Sequence, residues 1–109
     1  MDTRLLSGTV EMMILDVIFD EDTYGYQIAQ TVVARSKGQF ELKEGSLYPA
    51  LHRLERQKLL KASWHEHDGR RRKYYRLTAL GKKTLAAKRS EWASFANAVN
   101  GVLGLEGGA

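Results

Sequence analysis

The absences in this 109-residue chain exclude several classes of protein. The chain has no cysteine, so neither a disulfide framework nor a thiolate metal site can form. No apolar run approaches the roughly 20 residues that a membrane-spanning helix needs, and the N-terminus lacks a signal-peptide pattern. The length corresponds to a single domain. We therefore expect a cytoplasmic protein with no membrane attachment.

Signatures of catalysis are also missing. No serine lies in a glycine-elbow setting, no glycine-rich phosphate loop is present, and no pair of carboxylates stands out. His65 and His67 share one face of a predicted strand, but the third and fourth ligands of a usual metal site are lacking. The sequence therefore predicts no catalytic residue, no cofactor and no metal site.

Charge is distributed unevenly along the chain. The 17 Lys and Arg residues against 13 Asp and Glu give a formal net charge of +4. Residues 1–36 carry six acidic side chains against two arginines, whereas residues 43–89 hold 14 of the 17 basic ones. Such a split indicates a surface for a polyanion on one side of the fold. A solvated basic face is the alternative, and we favour DNA.

Hydrophobic periodicity predicts four helices and one hairpin. The first helix has an apolar stripe formed by Leu6, Val10, Met13, Ile14, Val17 and Ile18. Thr23 opens the second helix. The third begins near Gly45 or Ser46, because Pro49 is tolerated in a first turn and is costly one turn later.

The last helix is predicted to begin at an N-cap, Thr78, and to reach about Leu103. Gly81 lies in its first turns, where glycine costs roughly 1 kcal/mol relative to alanine. Close approach of another backbone would explain a glycine at this position.

The third helix and the hairpin after it are the most informative segment. Leu47, Leu51 and Leu54 fall on one helical face and leave polar residues on the other. After Leu60 the period becomes that of a strand, the Asp68-Gly69 pair supplies a turn signal, and four consecutive cations follow. A helix followed by a basic hairpin is typical of a winged helix-turn-helix, whose helix enters the major groove while the hairpin follows the DNA backbone.

The candidate DNA contacts are the polar side chains of this helix and the cations of the hairpin. They are Ser46, Tyr48, Pro49, His52 and Arg53 in the helix and Arg71, Arg72 and Lys73 in the hairpin. Four cations in a row exceed what is needed to keep a strand edge from pairing. Lys43, just before the helix, is a candidate for a backbone contact. Tyr26 either packs between the second and third helices or anchors the second helix to a phosphate through its hydroxyl.

A seam with coiled-coil spacing follows the last helix. Leu85, Trp92 and Val99 recur every seven positions along this helix, and Phe95 and Val102 are interleaved with them. A lone domain of this size has nothing to bury such a seam against except a second copy of itself, so the seam predicts a homodimer. Leu6 and Val10 of the first helix are expected to join this interface.

Five segments, in order and with compatible spacing, resemble the short PadR-like transcriptional regulators, which have one C-terminal helix. They are LLSGTVEMMILDVI, YGYQIAQ, EGSLYPALHRLERQKLL, GRRRKYYRLTALG and EWASFANAVNGVL. The resemblance implies a dimeric winged-helix DNA-binding protein, usually a repressor of a pseudo-palindromic operator, that often responds to a small molecule. It also suggests that Trp92 and Phe95 are walls of an aromatic ligand pocket between subunits, whereas the seam alone makes Trp92 a dimer-core residue.

The sequence thus predicts a mainly α fold with a small β-hairpin. Residues 1–78 form a winged helix-turn-helix, and residues 79–109 form a C-terminal dimerisation helix with a frayed tail. We expect a regulator of transcription whose partners are double-stranded operator DNA, a second copy of itself and a small aromatic effector. A winged-helix module that binds protein or RNA without operator specificity is the alternative.

Overall fold

A computed structural model describes residues 9–105, in which four helices and three strands follow one another. In chain order they are α1 (Val10–Asp20), β1 (Thr23–Tyr24), α2 (Gly25–Arg35), α3 (Glu44–Arg56), β2 (Leu60–His67), β3 (Arg70–Leu77) and α4 (Ala79–Leu103). The predicted mainly α fold with a small β-hairpin is confirmed. Leu6, assigned above to the first helix and to the dimer interface, lies outside the described residues.

The hairpin belongs to a three-stranded antiparallel sheet in the order β1-β3-β2. β2 and β3 pair along their whole length around Asp68 and Gly69, which both have positive φ, as a two-residue type I′ turn requires. We call β2, this turn and β3 the wing.

The strand β1 was not expected from the sequence. The prediction that Thr23 opens the second helix is wrong, because Thr23 and Tyr24 pair with Tyr75 and Tyr74 of β3. The helix begins only at Gly25. Threonine and tyrosine both favour strands, but a two-residue strand is too short to produce a periodic pattern.

One hydrophobic core joins the first three helices and the base of the wing. Its largest fully buried side chains are Ile14, Leu15, Ile18, Ile28, Leu47, Leu51 and Leu54. Tyr75 and Leu77 also belong to it, since alternate residues of β3 face inward. The leucines of α3 are therefore confirmed as its inner face.

Pro49 lies deeper in α3 than predicted. The helix begins at Glu44, so Pro49 is its sixth residue and falls in the second turn rather than the first. A proline there removes the hydrogen bond that its N–H would donate to the Gly45 carbonyl. Both Gly45 and Pro49 are exposed, so water can reach the carbonyl that loses its partner.

Thr78 caps α4 as predicted and also joins the start of α4 to the segment between α3 and β2. The Thr78 hydroxyl accepts a hydrogen bond from the Gly81 N–H at 2.9 Å and donates one to the Lys58 carbonyl oxygen at 2.7 Å. A Cβ at Gly81 would overlap the Leu59 carbonyl oxygen, so close backbone approach explains this glycine. Beyond Leu85, no side chain of α4 within the described residues is buried.

Candidate nucleic-acid interface

The outer face of α3 carries the helix side chains predicted to contact DNA. All five are exposed: Ser46, Tyr48, Pro49, His52 and Arg53. Lys43 is the N-cap of α3, where its carbonyl oxygen accepts hydrogen bonds from the N–H groups of Ser46 and Leu47. Its side chain is exposed beside the first turn. The structure thus places these groups where a ligand can reach them, and their contact with DNA stays a prediction.

A cleft of about 680 Å³, which we call the wing cleft, separates this helix face from the wing. It brings together six of the predicted DNA contacts: Tyr26, Tyr48, His52, Arg71, Arg72 and Lys73. The other lining residues were not predicted as contacts: Tyr24, Gly25, Trp64, Arg70 and Tyr75. The remaining predicted contacts, Lys43, Ser46, Pro49 and Arg53, lie outside its lining.

Tyr48 is held against the first turn of α2. A Cβ at Gly25 would lie 2.7 Å from the Tyr48 hydroxyl oxygen and 3.0 Å from the ring, so only glycine leaves room for the phenol. Tyr26, the next residue along α2, is 65% exposed. Of the two alternatives for Tyr26, packing between the second and third helices is therefore excluded, and a phosphate contact through its hydroxyl stays a prediction.

Three consecutive cations of β3 lie over aromatic rings. The Arg71 guanidinium is 4.9 Å from the Trp64 ring centre, and the Arg72 guanidinium is 4.5 Å from that of Tyr24. The Lys73 ammonium is 5.4 Å from the Tyr75 ring centre. A ring that packs against a guanidinium leaves the N–H donors of the arginine available to a phosphate.

Two of the predicted contacts are instead engaged by carboxylates. Arg53 pairs with Glu11 at 3.0 Å, and Lys73 pairs with Glu55 at 3.0 Å. Burial on its own lowers the pKa of Lys73, but the hydrogen bond to Glu55 and the neighbouring Tyr75 outweigh this, so the pKa is raised and the ammonium stays charged. Arg53 and Lys73 are thus already paired with carboxylates, whereas Arg71 and Arg72 form no ion pair within residues 9–105.

The outer half of α4 presents an exposed apolar stripe. Its members are Trp92, Phe95, Val99 and Val102. The rings of Trp92 and Phe95 are 5.9 Å apart. Leu85 was predicted to belong to this seam, but it is only 2% exposed because it packs into the core of its own chain. Val10 is partly buried and packs against the same core.

A second cleft, of about 480 Å³, lies between α1, α2 and α4 beside Trp92. Apolar side chains form most of it: Met12, Met13, Val17, Val32, Phe40, Trp92 and Ala93. Asp16 lies in its lining and bridges two arginines, Arg35 at 3.3 Å and Arg89 at 3.1 Å. We call it the Trp92 cleft. Phe95 does not line it and instead borders, together with Trp92, a smaller depression of about 210 Å³.

Two further features bear on the function classes considered above. Among residues 9–105, no three His, Asp or Glu side chains converge closely enough to hold a metal ion. None of the helices in that range combines the length and apolar character needed to cross a bilayer.

The sequence from the first helix into α4 matches a known family. Residues 14–87, more than half of the chain, match the transcriptional regulator PadR-like family. The chain belongs to the PadR-like family. Like other members it is a transcriptional regulator rather than an enzyme, with DNA binding implied, and the predicted winged helix-turn-helix is confirmed.

Relatives of this PadR-like chain match it along most of their length. It is 34% identical over 94 residues to the transcriptional regulator Rv3488 of Mycobacterium tuberculosis, covering 86% of this chain and 85% of that protein. A transcriptional regulator from Clostridium thermocellum has a TM-score of 0.83 at 32% identity, covering 89% of this chain and 95% of that one. A PadR family regulator from Clostridium difficile has a TM-score of 0.77 at 38% identity, covering 87% and 98%.

In this PadR-like protein, the sequence did not predict the side chains that contact the cations expected to bind DNA. Trp64 and Tyr24 lie under the wing arginines, and Glu11 and Glu55 pair with Arg53 and Lys73. One signal was available in the sequence for Trp64. Counting back from the two-residue turn places it directly opposite Lys73, on the face of the hairpin that meets α3.

Proposed function

We propose that this PadR-like protein is a cytoplasmic repressor that binds a pseudo-palindromic operator as a homodimer. The observation that carries the proposal is the wing cleft, in which Tyr48 and His52 lie beside Arg71 and Arg72. A helix that reads a major groove is oriented by nearby cations that bind the flanking phosphates. In this account residues 1–78 recognise DNA and residues 79–109 join two copies.

Each α3 enters a major groove with its outer face. Ser46 and His52 can bond base edges or phosphates, Tyr48 donates to a phosphate or packs on a sugar, and Arg53 reaches either once it leaves Glu11. Tyr26 and Lys43 contact the backbone beside the groove. The wing residues Arg71, Arg72 and Lys73 grip the flanking phosphates.

The exposed stripe of α4 supports a two-fold assembly. Trp92, Phe95, Val99 and Val102 form an apolar row with no cover within the described chain. Pairing two such rows, with Val10 and Leu6 alongside, buries them and fixes the separation of two recognition helices. Successive major grooves on one face of DNA are about 34 Å apart, so this separation decides whether both recognition helices can enter their grooves at once.

The Trp92 cleft supports a response to a small aromatic effector. Its lining is mostly apolar, and Arg35 and Arg89 border it. In this account Trp92 holds the ligand, and Phe95 is a further wall of the site in the dimer. The bound ligand changes the angle of α4 and thereby the spacing of the two recognition helices. Coupling of this kind is reciprocal, so the operator must weaken effector binding by the same factor.

Selection of binding sites from a random duplex pool tests the proposal. We expect an inverted repeat whose half-site centres are about 10 base pairs apart or a multiple of that distance. Enrichment of a single asymmetric half-site would contradict the homodimer. Enrichment of no duplex would favour a module for protein or RNA. An effector that saturates the protein but leaves operator affinity unchanged would remove the ligand response.

A further inference from the structure

Trp64 is the largest exposed side chain of the wing cleft without an assigned role. It is 56% exposed and lies on β2 beyond the part of the sheet that covers the core. Leu60 on the same strand face is buried, whereas Trp64 is too far along the wing to reach the core. Core packing therefore does not explain a tryptophan at this position.

We propose that Trp64 is a positioning residue for DNA binding, which holds the Arg71 guanidinium in the wing cleft with its N–H donors free. The central carbon of the guanidinium lies over the Trp64 ring, 4.9 Å from its centre. This inference rests on the proposed DNA-binding role of the wing, and it names the residue that presents one of the phosphate-binding cations.

The register of the wing offers Arg71 a second partner besides Trp64. Glu66 lies directly opposite Arg71 on the neighbouring strand, where a cross-strand ion pair is expected. Within the described residues, Arg71 forms no ion pair with Glu66 and lies over Trp64 instead. A carboxylate would occupy the N–H donors of the guanidinium, whereas an aromatic ring packed against a guanidinium leaves them free.

The arrangement also reduces the conformational freedom lost on binding. A long arginine side chain on an exposed hairpin populates many rotamers, and fixing them weakens binding to DNA. The Trp64 ring limits that freedom before DNA arrives. The expected contribution is about two- to fivefold in affinity per protomer, the size of one exposed cation–π contact.

A double-mutant cycle on the full chain tests the proposal. Affinity for a duplex is measured at two salt concentrations for wild type, Trp64→Leu, Arg71→Ala and the double variant. Trp64→Phe keeps a ring and should bind nearly as wild type does. Phe19→Leu, which removes a 50% exposed ring from α1 outside the wing cleft, is the matched control.

We expect Trp64→Leu to weaken binding by about two- to fivefold for each protomer bound and to have no further effect once Arg71 is alanine. Losses that multiply in the double variant would overturn the proposal, because Trp64 would then act on DNA directly or through the fold. Equal binding by wild type and Trp64→Leu would also overturn it. Failure of wild type to bind any duplex would instead reject the proposed function.

Discussion

The Lys73 ammonium lies 3.0 Å from the Glu55 carboxylate and thereby joins the wing to α3. One partner is predicted to bind DNA and the other is an anion, so the pair competes directly with a phosphate. The Arg53–Glu11 pair has the same character, since Glu11 neutralises a second predicted DNA contact. Both pairs lower the net positive charge of the candidate interface.

Replacing Glu55 by glutamine should raise the affinity for any duplex. The pair is partly exposed, so its loss costs the fold little, whereas Lys73 gains a phosphate partner. We expect a gain of about three- to tenfold at low salt and a salt slope steeper by about 0.9 per protomer. Glu21→Gln, which removes the same charge from the exposed end of α1, is the control. Weaker binding at all salt concentrations would mean that the ion pair positions the wing.

Replacing both Arg71 and Arg72 by alanine should weaken binding to specific and random duplexes alike. Each cation neutralises one phosphate in this account, so the salt slope should flatten by about 0.9 for each arginine removed. Arg76→Ala, on the same strand but outside the wing cleft, changes the charge without removing a predicted contact. Titrations at several salt concentrations measure the slope, and an unchanged slope in the double variant would exclude the wing from the interface.

Tyr48→Phe should separate specific from general binding. The substitution keeps the ring against Gly25 and removes only the hydroxyl. The hydroxyl reaches its phosphate only when α3 is fully docked in the operator groove, whereas Tyr26 lies beside the groove. Loss of one hydrogen bond is worth about 0.5–1.5 kcal/mol, so operator affinity should fall about two- to tenfold and random-duplex affinity should fall less. Tyr26→Phe, which removes a predicted phosphate contact, should weaken both duplexes equally. An equal loss on both duplexes for Tyr48→Phe would contradict a specifying role.

Two glycines of α4 should respond to alanine in opposite directions. Gly81→Ala forces a methyl group against the Leu59 carbonyl oxygen and should destabilise the fold by about 1–3 kcal/mol. Gly101→Ala meets nothing within 4 Å and should stabilise the helix by about 0.5–1 kcal/mol. Urea denaturation gives both free energies of unfolding. Stabilisation of similar size by both would show that helix propensity, rather than close approach, sets the effect.

The features that the sequence predicts correctly have short-range causes. The three buried leucines of α3 follow from helical periodicity, and the Asp68–Gly69 turn follows from residues that accept positive φ. The Thr78 cap and the close approach at Gly81 follow from capping chemistry and from the cost of a helical glycine.

The features that it misses depend on contacts between distant residues. Arg53 and Glu11 are 42 positions apart, and nothing local to either residue predicts their ion pair. Leu85 fits a coiled-coil repeat equally well whether it faces a partner or its own core, and only the fold places it in the core. The seating of Arg71 over Trp64 depends on side-chain rotamers, which periodicity does not determine.

The central claim, an operator-binding homodimer, is tested most directly by fluorescence anisotropy. The full chain is titrated onto the duplex upstream of its own gene and onto a scrambled duplex of equal composition, at two salt concentrations. The account predicts tight binding of two protomers per site with a clear preference for the native duplex. Equal and strongly salt-sensitive binding to both duplexes, or one protomer per site, would contradict it.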